Sequence, residues 1–379
     1  MELNLKTDES FVVEVTKTEQ YWIHTNHGKL LDTICGSMTY IYGYSNDYIL
    51  DKMYEQQKQI SYLDFKHNEI CKSSDKLTNL LCQEGQFAGV GYAVSGSDGV
   101  ECAIAMNSQY WKEFKQYKPK VISFTPGYHG ATYLNRSFRS EEEGPAVVVE
   151  RTTEKNTLDK VEYLLGNCKD IGAVIMESIP WANGINPWSE RWWKSIRDIT
   201  IKYNANLIVD DVMGGMGKLG HRFSHTRYDI QPDIVVLGKS LTGGYAPLSC
   251  ACAVERIANL ISDKWSYGHT WQPNMAGVGA ALAVWDLFDT QLIDNINHRM
   301  NILAKSLIDK QLIVDYNTIG LITSMKLSSP ITSDVFLKNG LTGGPSVKHS
   351  ITICTPLIAD DEYFAELESR LIACLTMIS

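Results

Sequence analysis

From about residue 90 onward, short runs of β-branched residues alternate with segments of helical periodicity. This alternation is typical of βα units stacked into a mostly parallel sheet, so it predicts an α/β fold. The strands are expected at residues 121–124, 173–177, 207–211, 234–237 and 250–254. Between the second and third of these, SERWWKSIRDITIKYN places Trp192, Trp193 and Ile196 on one helix face, which is expected to pack in the core.

The same pattern suggests how the chain divides into domains. No linker interrupts the alternating region, which favours one large domain over residues 46–280. Residues 281–379 resemble a smaller α+β domain, and residues 1–45 are expected to form an N-terminal segment that packs with it.

Composition limits the class of partner. A net charge of −9, with Lys and Arg spread along the chain, argues against nucleic-acid binding and favours a small molecule. No run approaches the roughly 18 apolar residues that a membrane span requires, and the polar start MELNLKTDES has no apolar signal core. Nine cysteines without paired CxxC spacing fit buried thiols better than disulfides or zinc. We therefore expect a cytoplasmic protein without a membrane partner or a metal.

Turns after the strands hold the candidate site residues, because sheets of this class bind ligands beyond the carboxyl ends of their strands. In AVSGSDGVECAIAM, Gly96 and Ser97 begin a helix, whose exposed N–H groups and positive dipole end form an anion site. The alternative is an ordinary turn with Asp98 as a helix-start charge. In FTPGYHGAT, Tyr128 beside His129 is either a stacking surface for a heteroaromatic cofactor or an ordinary loop aromatic.

Two further turns carry charge. In NLIVDDVMGGMGKLG a buried strand ends in Asp210 and Asp211, and a carboxylate there implies a positively charged partner. Helix capping and magnesium binding are the alternatives. Lys239 follows the apolar run 234–237 and precedes a glycine pair, so its ammonium can be desolvated, its pKa lowered and its amine made nucleophilic. Thr270, in YGHTWQPN, is a hydroxyl donor in a loop ahead of a helix.

An anion site, a stacking aromatic, a carboxylate and a desolvated lysine, in this order on one sheet, are the parts needed to hold pyridoxal 5′-phosphate (PLP). From about Tyr21 to the C-terminus, the chain resembles the class III (omega) aminotransferases, which are fold-type I PLP-dependent enzymes. The resemblance is clearest in LIVDDVMGGMGKLG and PDIVVLGKSLTGGYAPLS. It implies a fold-type I PLP-dependent transferase, in which a large domain with a mostly parallel seven-stranded sheet is joined by a small α+β domain.

The resemblance also implies roles for individual residues. Lys239 matches the lysine that forms a Schiff base, the internal aldimine, with PLP, and Asp210 matches the partner of the pyridinium nitrogen. Thr270 resembles the hydroxyl that reaches the phosphate of the neighbouring subunit's cofactor, which implies a homodimer with shared active sites. The resemblance further implies that Gly96 and Ser97 form the phosphate cradle and that Tyr128 stacks on the cofactor ring. Three more cofactor contacts are implied at His129, Glu177 and Val212.

Several positions depart from the family pattern. Met213 stands where many members carry a glutamine near the cofactor's phenolic oxygen, and Asp211 replaces the usual glutamate. The other departures are Ser178, Pro273 and Met275. None replaces the lysine or its aspartate, so these changes bear on fine geometry and substrate more than on the cofactor.

The resemblance predicts an aminotransferase that moves an amino group between an amine or amino acid and a keto acid or aldehyde. Aminomutases and racemases share this scaffold, its lysine and its aspartate, so motifs do not separate them from transfer. A cofactor-binding protein without catalytic activity is a third hypothesis. The specific donor, the specific acceptor and the pathway stay open.

One departure concerns the substrate directly. Many relatives carry an arginine that grips a substrate carboxylate, and here Thr352 occupies its expected place, with no Arg or Lys between Lys348 and Arg370. The segment LLDTICGSMTYIYGY, which resembles a wall of the substrate pocket, supplies no cation. The candidate substrate residues are Trp22, Ser37, Met38 and Thr352. A substrate without an α-carboxylate at the usual position is therefore expected; the alternative is that Arg136 or Arg139 holds the carboxylate.

Overall fold

Strands and helices alternate along most of the chain. The computed structural model describes residues 13–64, 71–139, 144–181, 185, 187–268, 270–347 and 349–378. Within these ranges the strands are β1 (Val15–Glu19), β2 (Trp22–Thr25), β3 (Gly28–Leu31), β4 (Gly89–Ala93), β5 (Lys120–Thr125), β6 (Ala146–Glu150), β7 (Ile171–Glu177), β8 (Asn206–Asp210), β9 (Ile234–Leu237), β10 (Ser249–Ala253), β11 (Asp315–Ile319), β12 (Ile322–Lys326), β13 (Pro345–Val347) and β14 (Ser350–Cys354).

The helices of the same ranges vary from single turns to five turns. They are α1 (Cys35–Met38), α2 (Asp47–Gln59), α3 (Lys72–Gly85), α4 (Gly96–Glu113), α5 (Tyr133–Arg136), α6 (Glu154–Asn167), α7 (Glu190–Lys202), α8 (Glu255–Ile261), α9 (Met275–Leu287), α10 (Thr290–Asp309), α11 (Ser333–Lys338) and α12 (Asp361–Thr376). Short 3-10 segments cover Ser224–Tyr228, Lys239–Thr242 and Ser262–Lys264.

A seven-stranded sheet in the order β4-β10-β9-β8-β7-β5-β6 dominates the middle of the chain. Strands β9, β8, β7, β5 and β6 pair in parallel, whereas β10 runs antiparallel to both of its neighbours. Because β4 therefore runs in the same direction as β9, every strand of this sheet except β10 ends at one edge. The turns after these strands are brought together there.

Continuous burial explains why the central strands read as apolar runs. Strands β8 and β9 are buried along their whole length, as expected where helices cover both faces of a parallel sheet. Helix α7 buries Trp192, Trp193 and Ile196, and its first turn is capped by Ser189, whose side chain accepts from the Trp192 amide. The predicted core face of this helix is confirmed.

Two smaller antiparallel sheets flank the central one in sequence. They have the orders β1-β2-β3 and β11-β12-β14-β13. Backbone pairing joins them: Leu31 bridges to Leu341, and the amide of Cys354 donates to the Thr33 carbonyl over 2.9 Å. The Thr33 hydroxyl also donates to the Thr342 carbonyl over 2.6 Å. The N-terminal strands are thus hydrogen-bonded to the last hundred or so residues of the chain.

The predicted α/β class is confirmed. All five predicted strands form, each within two residues of its expected bounds. All nine cysteines are free thiols. Among the described residues, no helix is long and apolar enough to cross a membrane.

Candidate active site

A cavity of about 460 Å³ opens at the edge of the central sheet where β5, β7, β8 and β9 end. Every residue assigned to the cofactor except Thr270 lines it, as do two of the four substrate candidates. The lining residues are Ile34, Gly36, Ser37, Met38, Gly96, Ser97, Tyr128, His129, Gly130, Glu177, Trp181, Asp210, Val212, Met213 and Lys239. The turns that the sequence singled out therefore converge on one space.

Lys239 enters this cavity from the turn after β9. Its backbone has φ of 47°, in the left-handed region that non-glycine residues seldom adopt, so the surrounding contacts must hold it there. Burial lowers the pKa of Lys239, and the nearby carboxylates of Asp210 and Glu177 oppose that shift only partly. Its amine is neutral at a lower pH than that of an exposed lysine, as a nucleophile requires.

Asp210, the last residue of β8, is paired with a histidine. Its Oδ2 lies 2.8 Å from His129 Nδ1, and both side chains are buried. Hydrogen bonding to the carboxylate raises the pKa of His129 against the opposing effect of burial. The amide of Val212 donates to Asp210 Oδ1 over 3.2 Å. These contacts orient the carboxylate into the cavity.

The neighbouring Asp211 lies outside the lining of the cavity. Its carboxylate accepts from the Ser224 amide over 2.8 Å and from the Ser224 hydroxyl over 2.5 Å. Full burial raises its pKa to about 6. Successive side chains at a strand end point to opposite sides, so only the first of the two acids can face the site.

Gly96 and Ser97 form the first turn of α4, whose leading amides have no partner within the helix. A Cβ atom at Gly96 would lie 2.7 Å from Val212 Cγ1, and one at Gly130, where φ is +114°, would lie 2.6 Å from Ser97 Oγ. Side chains at either position would fill the space in front of the helix start. The glycines keep an open cradle at a positive dipole end, a shape and polarity that suit a phosphate group.

Glu177 and Tyr128 complete the polar part of the cavity. Glu177 lies beside Asp210 in the parallel pairing of β7 and β8, and burial raises its pKa to about 7. The Trp181 amide donates to its Oε1 at 3.5 Å. The Tyr128 ring is half exposed, and the Arg139 guanidinium lies 5.0 Å from its centroid.

Residues 34–38 form a wall of the cavity outside the sheet. Cys35 and Met38 in this loop have positive φ, which strains the backbone, whereas Gly36 adopts a positive φ without strain. The buried carboxylate of Asp32 holds it: Oδ1 accepts from the Ile34 amide over 3.0 Å, and Oδ2 from the Gly36 amide over 2.6 Å. Hydroxyls of Tyr44 and Thr342 donate to the same carboxylate at 2.6 and 2.9 Å.

Three predicted site residues lie elsewhere in the chain's own fold. Thr270 lines a second cavity of about 450 Å³, beside Tyr62, Tyr92 and Tyr267. Trp22 is buried under Arg370, whose guanidinium lies 5.2 Å from its ring centroid. Thr352 is buried within β14, opposite Ser324. Neither Trp22 nor Thr352 is brought to the cavity around Lys239.

Sequence reasoning missed other residues of the site. Trp181 lines the cavity but falls in no segment that was singled out, and Asp32 shapes the wall although its segment was quoted only for lacking a cation. Lys218 is fully buried and donates to Ser240, the neighbour of Lys239. Its segment was quoted for the two aspartates and for the family resemblance, but no role was predicted for the lysine. A lysine between glycines in an otherwise apolar turn was the available signal.

Comparisons with known proteins identify the family and the fold. The family model "Aminotransferase class-III" matches residues 5–375. The chain is 26% identical to the acetylornithine aminotransferase of Clostridium acetobutylicum over 79% of this chain and 77% of that one. It is 27% identical to the adenosylmethionine-8-amino-7-oxononanoate aminotransferase of Staphylococcus aureus, over 79% and 74% of the two chains. The omega transaminase of Pseudomonas jessenii, solved in complex with PMP, shares the fold with a TM-score of 0.89 at 19% identity, over 97% of this chain and 93% of that one.

The fold and the family match define a PLP-dependent transferase of fold type I. The chain belongs to the class-III aminotransferase family. The predictions of family, fold, aminotransferase activity and PLP as cofactor are confirmed.

Proposed function

We propose that amino transfer takes place in the cavity around Lys239, on an amine, aldehyde or ketone without an α-carboxylate at the usual position. One observation carries this proposal. Lys239 is the only lysine or arginine among the cavity residues in the described part of the chain, while Asp210 and Glu177 supply carboxyl groups. A substrate carboxylate would find no guanidinium fork there and would meet acidic groups instead.

The described residues fit PLP, which when bound supplies a pyridinium ring that withdraws electrons from the bonds of the reacting carbon. The amides at the start of α4, at Gly96 and Ser97, would hold its phosphate. Asp210, oriented by His129, would keep a proton on the ring nitrogen, because a carboxylate stabilises that positive charge. Tyr128 and Val212 line the same cavity and would contact the ring.

Lys239 would have two tasks. Its neutral amine would hold the cofactor covalently, and during transfer Nζ would accept the proton from the substrate carbon. A lowered pKa suits both tasks, since the amine must be unprotonated to attack and to accept a proton.

A carboxylate clamp from another loop is the competing proposal for the substrate. Arg139 lies against Tyr128, at the side of the cavity, although it is not among the lining residues. The names of the two relatives place acetylornithine in one and 8-amino-7-oxononanoate in the other, so family members differ in substrate. A clamp by Arg139 would favour free α-amino acids; its absence favours simple amines.

We infer the assembly from the position of Thr270. This residue lies away from its own chain's cavity and beside exposed aromatic rings, including Trp271 at 65% exposure and Tyr62 at 48%. Burial of such rings against a second copy would place Thr270 at the partner's site, which supports a homodimer with shared sites. We further propose the division at residues 45 and 280, and a cytoplasmic location in keeping with the nine free cysteines.

Kinetics on matched pairs of substrates test this function. Each pair consists of a free α-amino acid and the amine obtained by removing its carboxylate, with one keto acceptor in common. We expect the amines to have the higher kcat/KM and to release a carbonyl product. A strong preference for the amino acids that disappears in Arg139→Ala would establish the competing clamp. Rearranged or racemised product without carbonyl release would instead indicate an aminomutase or racemase.

A further inference from the structure

Lys218 is a buried amine that none of the steps above uses. It lies in the turn after β8, its side chain is fully buried, and its Nζ donates to Ser240 Oγ over 2.6 Å and to the Gly215 carbonyl over 3.3 Å. Burying an ammonium group is costly, so its presence here must be offset by specific contacts. The Lys218 side chain does not reach the protein surface.

Ser240 connects Lys218 to two parts of the active site. It directly follows Lys239 in the 3-10 segment Lys239–Thr242. Its hydroxyl lies 3.3 Å from the Thr39 carbonyl and 3.5 Å from the Met38 carbonyl, at the end of the cavity wall. A single hydroxyl thus accepts from Lys218 and donates to the wall.

The backbone of Lys218 extends the same junction to the C-terminal sheet. The amide of Leu321 donates to the Lys218 carbonyl over 2.9 Å, and a Cβ at Gly320 would lie 2.2 Å from that oxygen. Only a glycine, with φ of +56°, fits there. The turn that carries Lys218 is therefore fixed against β11–β12 as well as against the catalytic segment.

We propose that Lys218 is a positioning residue for Lys239: through Ser240 it holds the left-handed turn of the lysine and sets its distance from the cavity wall at Met38 and Thr39. The inference rests on the proposed role of Lys239 in binding the cofactor. The strained φ of Lys239 needs such a restraint, because nothing in its own peptide geometry favours it.

The charge environment of Lys218 supports a role as a hydrogen-bond donor rather than as an ion-pair partner. Burial lowers its pKa to about 7, with a further lowering from the charge of Lys239. The Asp211 carboxylate opposes this shift. Either protonation state of the amine leaves an N–H for Ser240.

A double-mutant cycle tests the proposal. Lys218→Met removes the donor, Ser240→Ala removes the hydroxyl, the double variant removes both, and Lys218→Arg restores N–H groups. Lys118→Met is the matched control, because Lys118 Nζ donates to the Asn204 carbonyl over 2.7 Å, outside the cavity lining. The readouts are kcat, the Kd of PLP for the apoenzyme, the pH titration of bound PLP's visible absorbance, and the melting temperature.

Lys218→Met and Ser240→Ala should each lower kcat about tenfold, equal to about 1.4 kcal/mol in the barrier, and weaken PLP binding by a similar factor. Both should shift the absorbance titration in one direction, the double variant should be no worse, and Lys218→Arg should be less impaired than Lys218→Met. Lys118→Met should match the wild type.

Fully additive effects would overturn the proposal, as would a changed melting temperature with kcat and the absorbance titration unaltered. If Lys218→Met does not fold, Ser240→Ala and Lys218→Arg decide: an unchanged titration in Ser240→Ala would refute the link. Lys239→Ala separates a failure of the proposed active site from a failure of the Lys218 proposal. An active Lys239→Ala enzyme would refute the proposed role of Lys239, whatever the Lys218 variants do.

Discussion

His129 Nδ1 lies 2.8 Å from Asp210 Oδ2, with both side chains buried at the carboxyl end of β8. The pair fixes the orientation of a carboxylate whose neighbour in sequence, Asp211, is bound to Ser224 instead. The two adjacent acids therefore have different roles: Asp210 lines the cavity, whereas Asp211 binds Ser224 in the interior of the fold.

Asp210→Asn should fold but lose activity on the order of 10²-fold or more, because a neutral amide cannot keep the ring nitrogen protonated. Steady-state kcat measures this. Asp211→Asn is the matched control and should mainly lower the melting temperature. The reverse pattern, with Asp211→Asn inactive and Asp210→Asn fully active, would show that the wrong acid has been assigned.

Lys239→Ala should bind PLP loosely and show no turnover, because it lacks the amine that attaches the cofactor and moves the proton. Purified wild-type protein should be yellow, and the variant should lose this colour on dialysis. Absorbance before and after dialysis, with kcat, provides the measurement. Full activity in the variant would rule out Lys239 as the catalytic amine.

Thr270 should act across the subunit interface. When Thr270→Ala subunits are mixed with Lys239→Ala subunits, a heterodimer regains one intact site if Thr270 serves the partner, since that site takes Lys239 from one chain and Thr270 from the other. Partial recovery of activity on mixing is therefore expected. Should Thr270 serve its own chain, every mixed site would carry a defect and no activity would return.

Glu177 should make apoenzyme stability depend on pH. Burial raises its pKa from the usual 4.5 to about 7, so the folded state holds a proton that the unfolded state has lost. The protonated Glu177 carboxyl does not destabilise the folded state below pH 4.5, and the free energy of unfolding of the wild type falls as pH rises from 4.5 to about 7. Across that window, the free energy of unfolding of Glu177→Gln should rise relative to that of the wild type by up to about 1.4 kcal/mol per pH unit.

Chemical denaturation of the apoenzyme at several pH values measures this difference. Exposed Glu190→Gln, which loses only a surface pair with Lys194, is the control and should show no such trend. If the difference in free energy of unfolding between Glu177→Gln and the wild type does not change with pH, the pKa of Glu177 in the folded protein is not raised.

Asp32→Asn should raise KM for the amine about tenfold, a loss of about 1.4 kcal/mol in binding, and leave the visible absorbance of bound PLP unchanged. An amide has one acceptor oxygen, whereas the carboxylate accepts through both from four donors in the strained loop. Equal losses in kcat and PLP binding would show that Asp32 supports the whole fold rather than the substrate wall.

Local patterns predicted much of the site because the relevant residues follow buried strands directly. The apolar run before Lys239 and the strand ending in Asp210 are continuous in sequence, and parallel strands bring their ends together without further information. The same logic led to Tyr128 and to the cradle at Gly96.

Long-range contacts account for what the sequence did not predict. Asp32 meets Thr342, and Lys218 meets Leu321, across separations that no periodicity encodes. Thr352 was placed by resemblance to the position of the family's arginine, but it is buried within the C-terminal sheet, where it pairs with Ser324. Trp22 lies in β2 of the N-terminal sheet, where its buried ring packs under Arg370 instead of facing the cavity.

Among the lining residues that the structure describes, only those of the segment 34–38 lie outside α4 and outside the ends of the central strands and the turns after them. The residues assigned to the substrate and those assigned to the cofactor therefore lie in different parts of the chain. On the proposed assignment, changes at these five positions would alter which molecules bind, while the sheet residues assigned to the cofactor stay the same. Because Asp32 anchors the loop and is itself bound by Tyr44 and Thr342, an exchange of the segment between relatives should carry these contacts with it.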